Sequence, residues 1–491
     1  GVVVEKVAGR LYPEKRLASH LVGFVGDGNR GLAGVENRYD SDLLPVPSPT
    51  KGELRVGSGI ELSIDSDMQF LLEETAREAY RETEAQAVIL IAAEVRTGEI
   101  LAYVAMPDFD PNDYSASPSE TWYDWPGVYA YEPGSVFKVF TMAAALDAGG
   151  LDTHSTFVCD GAYHRTLPSG EKITIKCLGA HGTVDIERIL EYSCNAGAGY
   201  AADTVDSFDF YDKLRAFGFG ARTGVALGGE SPGLFGEPGT WSLRTRPTVG
   251  MGQEILVSAL QMTAAAVALA NDGILLKPIA VRRLLGPDGE VAYENSPQPV
   301  RRVVSSETAR SILDAMETAS SETGTGRRAK VQDIRMAVKT GTAQMIDPVT
   351  KKYSEKDFIA STLAIFPADA PRIVLYLAIV KPRAGESYYG GRIAAPVVKE
   401  AAEAILAISN LPRGDSPSAE KPTSIVIPTY ESATIGETMP DLHGVPKRLL
   451  IPLLGRKDLV VKIEGDGYVA RQSPLPGQPV APGTEIILEL K

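Results

Sequence analysis

The spacing of apolar residues changes along the chain, and each change predicts a different element. Ile60-Glu-Leu-Ser-Ile64 alternates apolar and polar, the period of a strand. Over residues 65–84, Met68, Leu71, Leu72, Ala76 and Ala79 recur at helical spacing, with Asp65 or Ser66 placed to cap the first turn. Residues 87–93 and 99–104 are apolar runs of strand length on either side of Arg96-Thr-Gly98, and read as a hairpin. This order is a sheet with a helix packed on it. Residues 135–148 are apolar on nearly every side, which predicts a buried helix. Helices are also predicted over 186–204, 258–271 with Gly273 as its stop, and 306–320. Strands follow at 334–338, 361–365 and 372–380, then a closing helix over 394–408.

The two ends of the chain read differently. Residues 1–50 are rich in Gly, Pro and charge, and Gly34-Val-Glu-Asn-Arg-Tyr-Asp40 gives no strong helix or strand pattern, so an irregular first domain is expected. A new unit begins near Gly59. After residue 410, Pro412, Gly414, Ser416, Pro417, Ser418 and Pro422 mark a linker. Residues 437–491 read as a separate small unit: a short helix, a strand at 459–463, a Gly465-Asp-Gly467 turn and a strand at 485–490. No period repeats across the chain.

A length of 491 residues exceeds one ordinary hydrophobic core, so about two to four domains are expected. The formal net charge of -14 repels nucleic acid and anionic lipid heads, and no basic stripe could track phosphates. No apolar run approaches the ~18 residues that span a bilayer. The chain opens at Gly1 without an initiator Met or signal segment, which fits an anchor removed upstream.

Candidate chemistry lies in three short motifs. Ser135-Val-Phe-Lys138 follows Glu132-Pro133-Gly134, so Ser135 is expected at a helix N-terminus, where backbone N–H groups favour an oxyanion. Lys138, three residues on, lies over the same face, and a Lys whose pKa is lowered by burial can take the serine proton. Ser193-Cys-Asn195 puts a hydroxyl and an amide two residues apart, suited to relaying protons and holding a substrate amide. Lys339-Thr-Gly-Thr342 runs out of an apolar strand. Gly341 lets a substrate backbone come close, Thr340 and Thr342 offer hydroxyls, and Lys339 offers positive charge. Each motif alone also fits a cap, a turn or a basic edge strand; the three in this order are far more specific.

With these motifs the chain resembles the class B penicillin-binding proteins over about residues 5–410. Asp65-Ser-Asp-Met-Gln69, Thr97-Gly-Glu-Ile-Leu-Ala102, Met106-Pro-Asp-Phe-Asp-Pro-Asn112, Gly250-Met-Gly-Gln-Glu254 and Lys339-Thr-Gly-Thr-Ala-Gln344 carry the resemblance. Arg10-Leu-Tyr-Pro13, His20-Leu-Val-Gly23 and Gly34-Val-Glu36 resemble the end of that family's N-terminal pedestal. The tail resembles a PASTA domain, through Met439-Pro-Asp-Leu442, Gly465-Asp-Gly467, Gln472, Pro476-Gly477 and Gly483. The resemblance implies an α+β penicillin-binding, serine-transpeptidase fold: an antiparallel sheet flanked by helices, plus a helical subdomain. It divides the chain into a truncated pedestal (1–52), a transpeptidase domain (53–410), a linker (411–436) and a small α/β PASTA domain (437–491).

It also implies a function, the cross-linking of peptidoglycan stem peptides by D-Ala-D-Ala transpeptidation, with β-lactams as inhibitors. Ser135 would be the nucleophile and Lys138 the general base. Ser193 would relay the proton, Lys339 would tune it, and Asn195 would hold the substrate amide. Thr340, Gly341 and Thr342 would bind the substrate's end, and backbone N–H groups of Ser135 and Thr342 would form the oxyanion hole. No cofactor is needed for catalysis. The implied setting is the extracytoplasmic face of a bacterial membrane, with an N-terminal anchor and cell-wall synthesis proteins, including a glycosyltransferase, as partners. The PASTA tail points to division or sporulation. Against the family pattern, the pedestal is largely missing, and Trp122-Tyr-Asp-Trp-Pro-Gly127 stands where a more polar, Asn-containing approach is usual. A β-lactamase or β-lactam sensor on the same fold, and a catalytically silent binding module, are the competing readings.

The three cysteines all fall between the first motif and the end of the second, as Cys159, Cys177 and Cys194, with His181 among them. Three thiolates and an imidazole make a closed tetrahedral zinc site, which would tie this insert to the Ser193 loop. Some elongation-type class B proteins carry zinc at about this place with different ligand types. A Cys159–Cys177 disulfide or three free thiols are the alternatives. His154 and His164 are expected at the surface.

Overall fold

Asp65 accepts hydrogen bonds from the N–H groups of Asp67 and Met68, both at 3.0 Å, and so starts helix α1 (Ser66–Thr83). Strands β1 (Ala87–Glu94) and β2 (Ile100–Met106) follow, and every residue in both is buried. This is the computed structural model of the chain, and it describes residues 9–44, 46–47, 54–55, 57–166, 170–385, 387–409, 411, 434–456, 458–465 and 467–491. The chain forms two compact units, one of Gly1–Arg10 and Leu17–Ala419, the other of Leu11–Arg16 and Glu420–Lys491.

In the larger unit, helices α2 (Lys138–Asp147), α3 (Ile186–Glu191), α4 (Asn195–Asp203), α5 (Ala259–Ala270) and α6 (Ser306–Thr318) come before the rest of the sheet. Strands β3 (Ala337–Ile346), β4 (Tyr353–Phe366) and β5 (Ile373–Val380) then lead to helix α7 (Gly390–Ile408). The sheet has five strands in the order β3-β4-β5-β1-β2, and every neighbouring pair is antiparallel. Alternation along β1 sorts its side chains onto two faces. Ile89 and Ile91 join a core with α2, α4, α5 and α6, while Val88 and Leu90 join a second core with α1 and α7. Burial on both faces explains why these strands read as continuous apolar runs.

Several elements differ from the sequence expectation. The helix expected over 186–204 is two helices, because Ser193 adopts φ 57° and breaks the backbone between α3 and α4. Gly34–Arg38 is a short helix where no pattern was evident; Val35 and Glu36 are buried, and Glu36 pairs with Arg10 at 2.8 Å. The strand expected at 334–338 starts at Ala337 and runs through the third motif to Ile346. The closing helix starts at Gly390, because the Gly390-Gly391 pair can approach neighbouring backbone too closely for any side chain.

The smaller unit holds strands β6 (Val460–Glu464), β7 (Val469–Ser473) and β8 (Glu485–Leu490) in the order β6-β8-β7. The β6–β8 pair is parallel and the β7–β8 pair antiparallel. Met439, Leu442, Leu450, Val469, Ile486 and Leu488 form its core. β7 was not expected; its sequence, Val-Ala-Arg-Gln-Ser, carries too few apolar residues to reveal it. The expected boundary at 52/53 and all but the ends of the expected linker lie outside the described residues. Among the described residues no helix is long and apolar enough to cross a membrane.

Candidate active site

Pro133 and Gly134 end the preceding extended chain, and Gly134 takes φ +57° while its N–H donates to the Gly252 carbonyl at 2.9 Å. Ser135 therefore sits in a tight turn (Gly134–Phe137) that feeds directly into α2, as its position at a helix start predicts. The first residue of α2 is Lys138, wholly buried at 0% exposure. Its Nζ donates to Ser135 Oγ at 2.8 Å, Asn195 Oδ1 at 2.7 Å and the Ser193 carbonyl at 2.8 Å, with Ser193 Oγ at 3.3 Å. From the other side Lys339 Nζ donates to Ser193 Oγ at 3.0 Å and to the Thr340 carbonyl at 2.9 Å. The three sequence motifs thus meet at one hydroxyl, that of Ser193, held between two buried amines.

Burial governs the charge of these amines. Loss of water lowers Lys138 to about 8, partly countered by negative charge on the nearby Cys177 and Cys194 sulfurs. Lys339 is pushed well below the usual lysine range by burial, with the Lys138 charge adding to the effect. A lysine that loses its proton near neutrality can act as a base.

The left-handed turn at Ser193 makes this arrangement possible. It reverses the chain after α3, so that Ser193 Oγ and Asn195 Oδ1 both reach Lys138. Beyond the turn, Cys194 Sγ caps α4 by accepting from the Gly197 N–H at 3.3 Å. Such strain in a non-glycine residue is a mark of functional sites.

β3 is the edge of the sheet, paired only with β4 by Lys339↔Leu363, Thr340↔Thr362 and Gly341↔Ser361. A cleft of 610 Å³ runs along it, and Ser135, Ser193, Asn195, Thr340, Gly341 and Thr342 all line the cleft. A side chain at Gly341 would strike Ser361 Oγ at 2.7 Å and Val136 at 2.8 Å. The protein's own packing therefore requires this glycine, a reason the sequence reading did not supply. The Gly390 N–H donates to Thr342 Oγ1 at 3.0 Å and docks the start of α7 on the same strand. Phe358 and Tyr388 stack with centroids 3.7 Å apart and line the cleft together with Tyr389. Sequence reasoning missed this aromatic wall, and also Gln253, Arg327, Arg328 and Arg392 in the lining. The Tyr388-Tyr389-Gly390-Gly391 run was the available signal.

The cysteines and His181 gather beside the Ser193 turn. One donor atom from each of Cys159, Cys177, His181 and Cys194 lies within 4.8 Å of all the others. His181 Nδ1 is 3.5 Å from the sulfurs of both Cys159 and Cys177, and the Cys177 and Cys194 sulfurs are 3.9 Å apart. Tetrahedral zinc, with sulfur at about 2.3 Å and nitrogen at about 2.0 Å, sets S–S at about 3.8 Å and S–N at about 3.5 Å. The three separations above match that ion, within a group that spreads to 4.8 Å. The hydrogen bond shared with Cys194, helped by backbone N–H donors that include Asn195 at 3.2 Å, pulls Cys177 well below the usual thiol range. His154 and His164 are exposed.

Comparison with known proteins places this geometry. Residues 88–403 match the model of the penicillin-binding protein transpeptidase domain, and residues 437–491 match the PASTA domain. The chain belongs to the penicillin-binding protein transpeptidase family. Among its relatives, this transpeptidase is 29% identical over 508 residues to stage V sporulation protein D of Bacillus subtilis, across 99% of this chain and 76% of that protein. It is 30% identical to penicillin-binding protein PbpB of Mycolicibacterium smegmatis, over 83% of this chain and 66% of that protein. It is 28% identical to peptidoglycan D,D-transpeptidase FtsI of Escherichia coli K12, over 81% of this chain and 67% of that protein. Penicillin-binding protein 3 of Mycobacterium tuberculosis, solved with ampicillin, superimposes with a TM-score of 0.76 at 29% identity, over 83% of this chain and 91% of that one. The same protein has been solved with aztreonam. The transpeptidase therefore has the α+β fold that its motifs imply, with a PASTA domain at its end.

Proposed function

We propose that the chain is a peptidoglycan D,D-transpeptidase acting through an acyl-enzyme on Ser135. The observation that carries this reading is the sharing of Lys138 Nζ among Ser135 Oγ, Ser193 and Asn195. Neutral Lys138 takes the Ser135 proton as Oγ attacks the penultimate D-Ala carbonyl of a stem peptide. The new C–O bond forms, and the carbonyl oxygen becomes an oxyanion facing the Ser135 and Thr342 N–H groups. Collapse breaks the C–N bond. Ser193, held between Lys138 and Lys339, passes a proton to the departing D-Ala amine. The amine of a second stem peptide then resolves the ester. Asn195 exchanges its hydrogen bond from Lys138 for one with the substrate amide, and Thr340 and Thr342 receive the terminal carboxylate. A penicillin acylates Ser135 by the same steps.

The Cys159, Cys177, His181 and Cys194 cluster holds zinc in a structural role in this reading. The ion would fix the Ser193 turn from behind and take no part in the chemistry. The name of stage V sporulation protein D supports a sporulation role for this chain; a division role, the extracytoplasmic face of a membrane and the company of other cell-wall synthesis proteins belong to the same reading. Its working parts are a pedestal end (1–52), the transpeptidase domain (53–410), a linker (411–436) and the PASTA domain (437–491).

Intact mass after incubation with a penicillin tests the reading. A stable adduct of one penicillin, absent in Ser135→Ala, is the expected result. An adduct that hydrolyses within minutes would point to a β-lactamase, and no adduct from folded protein would leave a silent binding module.

A further inference from the structure

Helix α3 ends at Glu191, and its last carbonyl needs a donor. In a continuing helix the Asn195 N–H, four residues on, would supply it. That N–H instead donates to Cys177 Sγ at 3.2 Å, and the Cys194 N–H donates to the Ile189 carbonyl at 3.0 Å. Thr325, from a distant part of the chain, fills the gap: its N–H and its Oγ1 both donate to the Glu191 carbonyl, each at 3.1 Å. The Glu191 side chain is held by the same loop, accepting from Thr323 Oγ1 at 2.5 Å and from Ser321 Oγ at 3.4 Å. Three hydroxyls at alternate positions, Ser321, Thr323 and Thr325, thus converge on the residue that stands two before Ser193. The loop has its own anchors. The Gly326 N–H donates at 2.8 Å to the carbonyl of Ala319, which ends α6. The Thr325 carbonyl packs so closely on Gly391, in the first turn of α7, that a Cβ there would lie 2.4 Å from its oxygen.

We propose that Thr325 and Glu191 are positioning residues for the proton relay: they finish α3 from outside, so that Ser193 can leave the helix in its left-handed conformation with Oγ between Lys138 and Lys339. This rests on the transpeptidase reading and adds the part that sets the relay in place. Thr323, Gly324 and Thr325 line the cleft, while Glu191 is buried behind it and acts only through the turn. Without the Thr325 cap, the Glu191 carbonyl would be left unpaired in a buried place, and the Asn195 N–H would be drawn back to it. The turn would then relax toward a continuous helix and carry Ser193 Oγ away from the lysines. The chemistry this spoils is specific. When a penicillin or D-Ala-D-Ala acylates Ser135, the C–N bond breaks and the nitrogen takes the Ser193 proton, which Lys138 replaces. When a thioester acylates Ser135, the C–S bond breaks and the sulfur leaves as a thiolate, which needs no proton near its pKa of about 8.5.

The test compares acylation of Ser135 by a penicillin and by an N-acyl-D-alanyl thioester of mercaptoacetic acid. Glu191→Ala and Thr325→Val should slow penicillin acylation by about tenfold, part of the roughly hundredfold that a general acid supplies. Non-covalent penicillin binding before acylation, and the thioester rate, should both stay within about twofold of the unaltered protein. Glu191→Gln keeps an acceptor for Thr323 and Thr325→Ser keeps the hydroxyl, so each should bring the penicillin rate back to within about threefold. Thermal melting shows which variants are folded, and if Glu191→Ala is not, the Thr325 pair carries the comparison. Equal slowing of both substrates, a loss in penicillin binding with no loss in rate, no slowing at all, or slowing that Gln and Ser do not relieve would overturn the proposal. A Ser135 that neither compound acylates in the unaltered protein would instead overturn the transpeptidase reading itself.

Discussion

Ser193 holds a backbone conformation that serine rarely adopts, and two amines that rarely share a buried site compete for its hydroxyl. The two facts explain each other: the left-handed turn is what brings Ser193 Oγ within reach of both lysines. At this scale the pH dependence follows. Lys138 must be neutral to accept a proton, and burial lowers it to about 8. The rate of penicillin acylation should therefore rise with pH and level off above about pH 8. Stopped-flow labelling across pH 6 to about 10 checks this, and a rate that falls over that range would contradict it. Ser193→Ala removes the relay and should slow acylation by about a hundredfold or more without abolishing the fold. That Ser135, Lys138, Ser193, Asn195 and Lys339 meet was legible in the sequence, because three short motifs carry fixed residue types at short spacings. Arg327, Arg328 and Arg392 were not, because nothing in their local sequence marks them as part of a cleft.

Among the elements, the sheet was readable and its irregularities were not. Continuous burial made β1, β2 and β5 apolar along almost their whole length, so composition gave them away. The apolar pattern ran through the break between α3 and α4, because Ser193-Cys194-Asn195 contains neither Gly nor Pro, and only the motif itself suggested a loop there. One consequence concerns α1. Glu73 on this helix is buried, accepts from the Ala18 N–H at 2.7 Å and from Gln69, and is raised to about 7 by the loss of water. A carboxyl raised in the folded state stabilises the fold at low pH, and that contribution is lost as pH rises from about 4.5 through about 7. Glu73→Gln keeps an acceptor for Ala18 and cannot ionise. Its melting temperature should gain on the parent's as pH rises from 5 to about 8, by on the order of 2 kcal/mol in stability. A constant gap across that range would contradict the assignment. A second consequence concerns α7. A Cβ at Gly390 would lie 2.1 Å from the Gly341 carbonyl oxygen, so Gly390→Ala must lift α7 off β3. Loss of penicillin labelling by at least about tenfold, with a lower melting temperature, is the expected outcome.

For the whole molecule, the insert between the first and second motifs is tied to the core through Cys194, which is wholly buried, while Cys177 and His181 are only partly so. If that tie is zinc, the purified protein should contain about one equivalent of metal by elemental analysis, and a strong chelator should remove it and lower the melting temperature. Cys177→Ser should cost metal and stability together. Retention of full stability after chelation, with three alkylatable thiols, would show that the cluster is held by packing alone. The fold class and the division into a large catalytic unit and a small tail were legible from pattern and motif. The smaller unit's strand β7 was not, because a short edge strand with polar residues on its outer face looks like a loop.

Cys194 lies between Ser193 and Asn195, so adjacent residues of one turn face two different tasks. The hydroxyl and the amide reach Lys138, and the sulfur between them joins the Cys159, Cys177 and His181 group. This narrows the paths by which the protein can change under drug selection. A substitution in the turn that makes acylation by a β-lactam less favourable also shifts the sulfur, and so spends stability that the insert depends on. Escape variants should therefore accumulate along the rim of the cleft, at the aromatic wall and the arginines, and leave the turn untouched.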